Sequence, residues 1–370
     1  MDFTYSDEQQ MLRDSVDRFG AERWNPAKRV RLLEGGDAAQ RWREMAELGW
    51  LMLPIAEADG GLGGGAIEVM AVAEGFGRHL IVDPWVTSCV LVPALLAGGG
   101  DAAGAVLAAI AAGEAKAAAG LIEPHMGYDI AEVVLRAEQG PDGWRLTGEK
   151  LHVEDGADAD WFVVSARTAG APGERDGIGL FLLPRDAAGL TVERFRAVDH
   201  HRHARLRLHG VTGATAIGPV DAALPVIEAA VDRAIAAHLA EAVGSMEAAT
   251  AATLDHLRTR QQFGVAIGTF QVLQHRMVDM TIACEEARAM AAYATLHLDA
   301  APAERIRAVA AGKTRVGDCG LHVGQEAIQL HGGVGFSDEL IVSHHFKRQL
   351  MLDQAHGPRH HHRDRFAAAA

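Results

Sequence analysis

From Pro225 onward, Ile227, Val231, Ile235, Leu239, Val243 and Met246 recur at three- and four-residue intervals, and the stripe runs on to Leu254 and Leu257. That spacing lays one apolar face along a single long helix. Such a face is buried only against further long elements, so the chain after Pro225 reads as mostly long helices. The middle of the chain reads differently. From Ala117, the runs AAAGLIEP, VVLRAEQ, GWRLTGEK, DWFVVSART, GIGLFLLP and LRLHGV are short, apolar or alternating, and are set apart by Gly, Pro and Asp. That is the punctuation of strands.

The N-terminal third is helical again. Ser6 begins a capping box completed by Gln9, and Leu12, Val16 and Phe19 follow at helical spacing. Trp42, Met45 and Leu48 make a second stripe before a glycine-rich turn from Gly60 to Gly65. Alanine-rich helical sequence then runs to about Gly113, with Pro84 and Pro93 as boundaries. No tandem repeat is present.

A chain of 370 residues, 49% of them hydrophobic, fits two or three packed lobes with helix-rich and sheet-rich parts. A formal net charge of −14 and a pI of about 5.7 argue against nucleic acid or an anionic membrane as partner. Cys89, Cys284 and Cys319 lie far apart with no Cys-x-x-Cys spacing, as expected of buried, reduced thiols in a cytoplasmic protein. MDFTYSDEQQ lacks a basic segment followed by an apolar run, and no apolar stretch reaches about 18 residues. The expectation is a protein neither secreted nor inserted in a membrane.

Two segments carry chemistry: RQQFGVAIGTFQVLQHRMVDM, Arg260 to Met280, and QLHGGVGF, Gln329 to Phe336. The rigid fork of Arg260 suits a pyrophosphate, and Gly332, Gly333 and Gly335 let backbone N–H groups approach phosphate oxygens. Gln271, Gln274 and Gln329 offer donors and acceptors to an adenine edge or a ribose, and Phe263 and Phe270 offer flat surface to a ring. Taken singly, each has a bland reading, since Phe at helical spacing is usually core and Gly-Gly is usually a turn. In this order, the set resembles the flavin-gripping elements of acyl-CoA dehydrogenases.

That resemblance extends over essentially the whole chain and implies an α+β fold. Its parts would be an N-terminal helical lobe (1–116), a middle β lobe (117–222) and a C-terminal long-helix bundle (223–370). It also implies FAD as cofactor, an acyl-CoA substrate, an electron-transfer flavoprotein as acceptor, and no metal. Enzymes of the family remove an α-proton with a carboxylate while the β-hydrogen leaves as hydride to the flavin. The chain departs from the family where that chemistry is done. His356, before Gly357, stands where many members carry the Glu of Tyr-Glu-Gly-Thr, and Ala234 matches the alternative Glu position on the first long helix. His356 is therefore the candidate base, with Asp353 close enough in sequence to orient it. Glu241 is a further carboxylate whose bland reading is an ion pair with an arginine of the bundle.

The flavin-facing segments differ too. Thr-Glu-Pro-x-Ala-Gly-Ser-Asp of the family is here Ile122-Glu123-Pro124-His125-Met126-Gly127-Tyr128-Asp129, and Trp-Ile-Thr-Asn is Leu151-His152-Val153-Glu154. Hydroxyls at Ile122 and Tyr128, and the Trp and Thr at Leu151 and Val153, are lost. In family members each FAD lies at a dimer interface, its isoalloxazine in one subunit's β lobe and its ADP on the neighbour's bundle. By that resemblance, this chain keeps what it would lend and has lost what would serve its own flavin. A heteromer follows, in which a second acyl-CoA dehydrogenase subunit supplies the base and the ring pocket. The runs AEAVGSMEA, VSARTAG, RDGIGLFL and AIQLHGGVG resemble small subunits of pimeloyl-CoA dehydrogenase, which implies a medium-chain dicarboxylyl-CoA or a bulky ring-derived acyl-CoA. The alternatives are a self-sufficient, self-associating dehydrogenase using His356 and an oxygen-using flavin enzyme. His360, His361 and His362 read as a solvated cluster, and His200, His201 and His203 with Arg202 and Arg205 as a solvated loop.

Overall fold

The computed structural model describes residues 4–24, 26–124, 126–141 and 143–369; of the segments read above, His125 and the first three residues of MDFTYSDEQQ lie outside the described residues. In chain order come α1 (Asp7–Arg23), α2 (Pro26–Leu33), α3 (Ala38–Glu47), α4 (Ala66–His79), α5 (Val92–Leu96) and α6 (Gly100–Ala111). Then follow β1 (Ala117–Gly120), β2 (Arg136–Gly140), β3 (Gly143–Val153), β4 (Trp161–Arg167), β5 (Ile178–Pro184), β6 (Leu190–Arg196) and β7 (Arg202–Ile217). The chain ends with α7 (Leu224–Thr259), the short strands β8 (Gln261–Gln262) and β9 (Val265–Ala266), α8 (Gln271–Leu296), α9 (Pro302–His331), α10 (Ile341–Gln354) and α11 (Arg359–Ala368). These elements make two compact units. One takes Met1–Gly36, Ala66–Val82 and Ile235–Ala370; the other takes Asp37–Gly65 and Asp83–Ala234.

The first unit is helical. Ser6 caps α1 with the expected capping box, the Gln9 amide donating to Ser6 Oγ at 3.3 Å and the Ser6 amide to Gln9 Oε1 at 2.9 Å. α4 and α7 cross with their backbones in contact. A Cβ added at Gly77 would lie 1.8 Å from the Glu241 carbonyl oxygen, and one at Gly244 would lie 1.8 Å from the Glu74 carbonyl oxygen. Only glycine on each helix permits that approach. The stripe on α7 is buried as its spacing requires, with Ile235, Leu239, Val243 and Met246 all inaccessible in this unit.

The second unit is built on a seven-stranded sheet. β4 pairs with β2, β2 with β3, β3 with β7, β7 with β5 and β5 again with β4, so the ladder closes on itself; β1 adds to β4 and β6 to β7. Leu146, Phe162, Val164, Phe181, Leu183 and Leu206 fill its interior. Two buried cations organise its loops. The Arg167 guanidinium, fully buried, donates to the carbonyls of Val133 at 2.9 Å and Ala131 at 2.7 Å. The Lys150 ammonium, also fully buried, reaches Glu123 at 2.6 Å and Ser165 Oγ at 2.9 Å.

All six strand-like runs contain strands, but β6 was not anticipated. Its sequence, LTVERFR, is charged and exposed along one edge, and so carries little apolar signal. Pro93 is the boundary expected of it, lying in the first turn of α5, which follows a π-helical turn at Val86–Leu91. Leu48 leaves the stripe shared by Trp42 and Met45, at 46% exposure. The histidine patch at 200–205 is not a solvated loop. His201 and His203 are buried at the turn into β7, His201 Nδ1 lies 3.0 Å from Asp155 Oδ1, and Arg202 and Arg205 pair with Asp158 and Glu149. Of the three adjacent histidines near the C-terminus, His360 is exposed, whereas His362 is buried with Nε2 at 3.1 Å from the His356 carbonyl oxygen. Among the described residues no helix is long and apolar enough to cross a membrane, and Cys89, Cys284 and Cys319 are free and buried.

Candidate functional site

At one end of the helical unit, α7 runs out at Thr259 and the chain makes a tight hairpin through β8 and β9. Phe263 and Gly264 sit at its tip with φ of 54° and 81°, the left-handed pair that a two-residue hairpin with the right twist demands. Glycine adopts that geometry freely, but Phe263 carries a strain of about 1–3 kcal/mol there and is 92% exposed. Its ring meets that of Phe270 edge to face at 6.3 Å, and Phe270 is itself exposed. Neither phenylalanine is core.

The glycine segment caps α9. Gly332 has φ 66° and ψ −148°, open only to glycine. Gly335 is small for packing, since a Cβ there would lie 2.5 Å from the Ile328 carbonyl oxygen. Gly333 answers to neither demand: its φ is not positive and a Cβ would meet nothing within 4 Å. Its openness belongs to whatever lies outside it. Arg260, Gln271, Gln274 and Gln329 are all exposed; only Gln274 is engaged locally, Nε2 donating to the Gly268 carbonyl at 3.0 Å.

One contact joins the two motifs. His256 lies one turn before Arg260, whose amide donates to its carbonyl at 2.8 Å, and His331 immediately precedes Gly332. Their rings stack with centroids 4.3 Å apart and planes at 30°. Arg260 and the glycine pair therefore share one face of the unit. His256 was not singled out from the sequence, because an isolated histidine near a helix end carries no periodic signal.

The helical unit also holds His356 and Glu241, whereas Ala234, the other position at which a base is expected, is the last residue of the second unit. Glu241 is locked: its two oxygens lie 2.6 and 2.8 Å from Nε and Nη2 of Arg348, with both side chains buried. Ala234 offers no group. Burial, reinforced by the Lys313 charge, pushes the His356 pKa down to about 3. Its ring stacks on His238 at 5.5 Å and its Nε2 is shielded without a hydrogen-bond partner. Asp353 does not orient it, being held instead by Arg359 Nε at 3.0 Å and Gln354 Nε2 at 3.1 Å. So weak a base accepts an α-proton poorly at neutral pH.

In the sheet unit, the segments that depart from the family motif are neighbours. Ile122 and Leu151 form an antiparallel bridge, the Leu151 amide donating to the Ile122 carbonyl at 2.7 Å. Lys150 and Glu123 have a structural task of their own. Glu123 accepts from the Val134 amide at 2.8 Å and the Leu135 amide at 3.0 Å as well as from Lys150, so the pair fastens the loop itself. Further along, Asp155 holds Thr87 Oγ1 at 3.1 Å and His201.

These residues divide on FAD. Arg260, Phe263 and Gln329 are exposed and Gly332 and Gly333 are open, and these residue types suit its ADP half. The ring half finds apolar Ile122, Leu151 and Val153 where polar partners are needed, and the residues present do not fit it.

Three domain families match consecutive stretches of the chain: "Acyl-CoA dehydrogenase, N-terminal domain" over residues 6–114, "middle domain" over 118–211 and "C-terminal domain" over 224–370. A probable acyl-CoA dehydrogenase, FadE25 of Mycobacterium tuberculosis, is 29% identical over 320 residues, covering 83% of this chain and 80% of its own. Among solved structures, the Tcur3481-Tcur3483 steroid ACAD is 28% identical with a TM-score of 0.88, over 98% of this chain and 97% of that one. The ChsE4-ChsE5 complex from Mycobacterium tuberculosis is 25% identical with a TM-score of 0.88, over 100% and 98%.

Proposed function

Because the chain belongs to the acyl-CoA dehydrogenase family of oxidoreductases, we propose that it is one subunit of a heteromeric, FAD-dependent acyl-CoA dehydrogenase. It lends its ADP-binding face to a partner subunit that carries the isoalloxazine pocket and the catalytic carboxylate. One observation carries this reading: Arg260, Gln271 and Gln329 stand exposed and Gly332 and Gly333 are open, while of the two base positions Ala234 offers no group and His356 is kept neutral by burial.

FAD, when bound, supplies the hydride acceptor. This chain's own part is binding. Arg260 offers a bidentate fork to a diphosphate, the Gly332 and Gly333 backbone allows close approach, and the Phe263 and Phe270 rings exclude water from the rim. Glu241 moves no proton, since Arg348 uses both its oxygens. Two of the similar structures are named as two-component assemblies, one of them a steroid ACAD. Their likeness supports a bulky ring-derived acyl-CoA as the substrate class, and the three-lobe division of the chain at 116 and 222 fits the same proposal.

The test is flavin content. The chain purified alone is expected to be colourless, and its complex with the partner yellow, with one FAD per pair. A yellow lone chain with one FAD per subunit overturns the reading and makes His356 the residue to mutate.

A further inference from the structure

His256 is the group in the helical unit that the reading above leaves without a task. It stands half-exposed one turn from Arg260, its ring laid at 4.3 Å on that of buried His331, the residue before the glycine pair. His331 is fixed from below, its Nδ1 2.8 Å from the Ala327 carbonyl oxygen and therefore a donor there. The stack thus has a rigid floor and a half-exposed, titratable outer ring.

We propose that His256 is a dinucleotide-binding residue of this face, taking up a proton when a diphosphate docks between Arg260 and Gly332–Gly333. This rests on the reading that the face holds ADP. In the free chain the groups acting on His256 oppose its charge: burial first, then His331 from α9, then Arg260 beyond the end of α7. All three keep the imidazole neutral. A diphosphate reverses the field at that spot, because its charge outweighs that of the one guanidinium it neutralises. The protonated ring then becomes a second cationic donor beside Arg260, and proton and diphosphate bind with positive linkage. No bond to carbon or phosphorus is made or broken; the only transfer is one proton from solvent to the His256 ring. Affinity for a diphosphate consequently rises as pH falls, by about tenfold for each unit through which docking raises the His256 pKa.

The experiment is calorimetric titration of the full chain with ADP in buffers of different ionisation enthalpy, between pH of about 6 and about 8. The expected result is ADP binding whose heat varies with the buffer, reporting proton uptake, and which is tighter at the acid end. His256→Gln should bind ADP with no buffer dependence and no pH dependence, whereas Arg260→Ala should not bind it. Thermal unfolding of each variant shows whether it is folded, and His256→Asn serves if the glutamine variant is not. Wild-type binding without proton uptake, or uptake that survives in His256→Gln, overturns the inference and leaves the ADP-lending reading standing. No binding of ADP at either pH, together with no FAD in the co-purified complex, overturns both.

Discussion

The Leu151 amide donates to the Ile122 carbonyl at 2.7 Å, so two of the four positions at which the sequence departs from the family's flavin-facing motifs lie side by side across one β-bridge. The apolar residues at these two positions therefore form one patch. A polar flavin edge set against it would leave hydrogen-bonding atoms unpaired, at on the order of 1–3 kcal/mol each.

If that patch carries no flavin, trimming it should not matter to the cofactor. Leu151→Ala in a co-expressed complex is expected to leave the flavin absorbance per subunit within about a tenth of wild type, whereas Arg260→Ala, which removes a bidentate diphosphate contact, should reduce it several-fold. Loss of flavin from Leu151→Ala would falsify the lending assignment.

The three glycines of the QLHGGVGF segment should separate by mechanism. Gly335→Ala places a Cβ against the Ile328 carbonyl oxygen at 2.5 Å and is expected to cost roughly 1–3 kcal/mol of stability. Gly332→Ala forces a side chain into a glycine-only conformation and should cost a similar amount. Gly333→Ala has neither fault and should leave stability within about 0.5 kcal/mol while lowering FAD retention in the complex. Urea unfolding gives the first quantity and flavin fluorescence in the filtrate gives the second. A stable Gly333→Ala complex that holds FAD as wild type does would confine the glycine pair to a turn.

Much of this architecture was legible in advance where one physical demand dominates the residues. The stripe from Ile227 to Leu257 gave α7 because a long helix buries a periodic face, and the capping box at Ser6 and Gln9 satisfies amides that helix geometry alone leaves open. The β6 edge and the Lys150–Glu123 pair were not legible. An exposed strand needs no apolar alternation, and a buried charge is recognised only once its partner from another strand or loop is known. The same limit hid the His256–His331 stack, which joins residues far apart in sequence. His201 was misread as solvated because adjacent histidines and arginines resemble a surface run, whereas the fold supplies Asp155 to bury it.

Glu241 offers a direct contrast between structural and catalytic roles. It and Arg348 form a buried bidentate pair, so Glu241→Ala removes both carboxylate contacts of a buried guanidinium and is expected to cost about 3–5 kcal/mol. Complex that survives the mutation should turn over acyl-CoA at the wild-type rate per bound FAD. A full-stability variant with abolished turnover would instead identify Glu241 as the base.

Acid should unfold the helical unit through histidines whose pKa values the fold depresses. His345 is 2% exposed with Nδ1 2.9 Å from Ser245 Oγ, and burial, aided by the Arg29, His344 and His79 charges, pushes its pKa down to about 3. His356 is held at about 3 by burial and Lys313. In the unfolded chain, both titrate at about 6.5. With folded values depressed, the unfolded chain binds more protons below that pH, so stability is at its full value above about 6.5 and is lost progressively as pH falls toward 3. By pH of about 5, each histidine should have removed roughly 1–2 kcal/mol. Urea midpoints measured from pH of about 7.5 down to about 5 should therefore fall, and His345→Gln, although less stable at neutral pH for want of a well-fitted bond to Ser245, should lose about one proton from the slope. Midpoints that stay level across that range would mean these rings are solvated and titrating freely, and His356 would return as a candidate base.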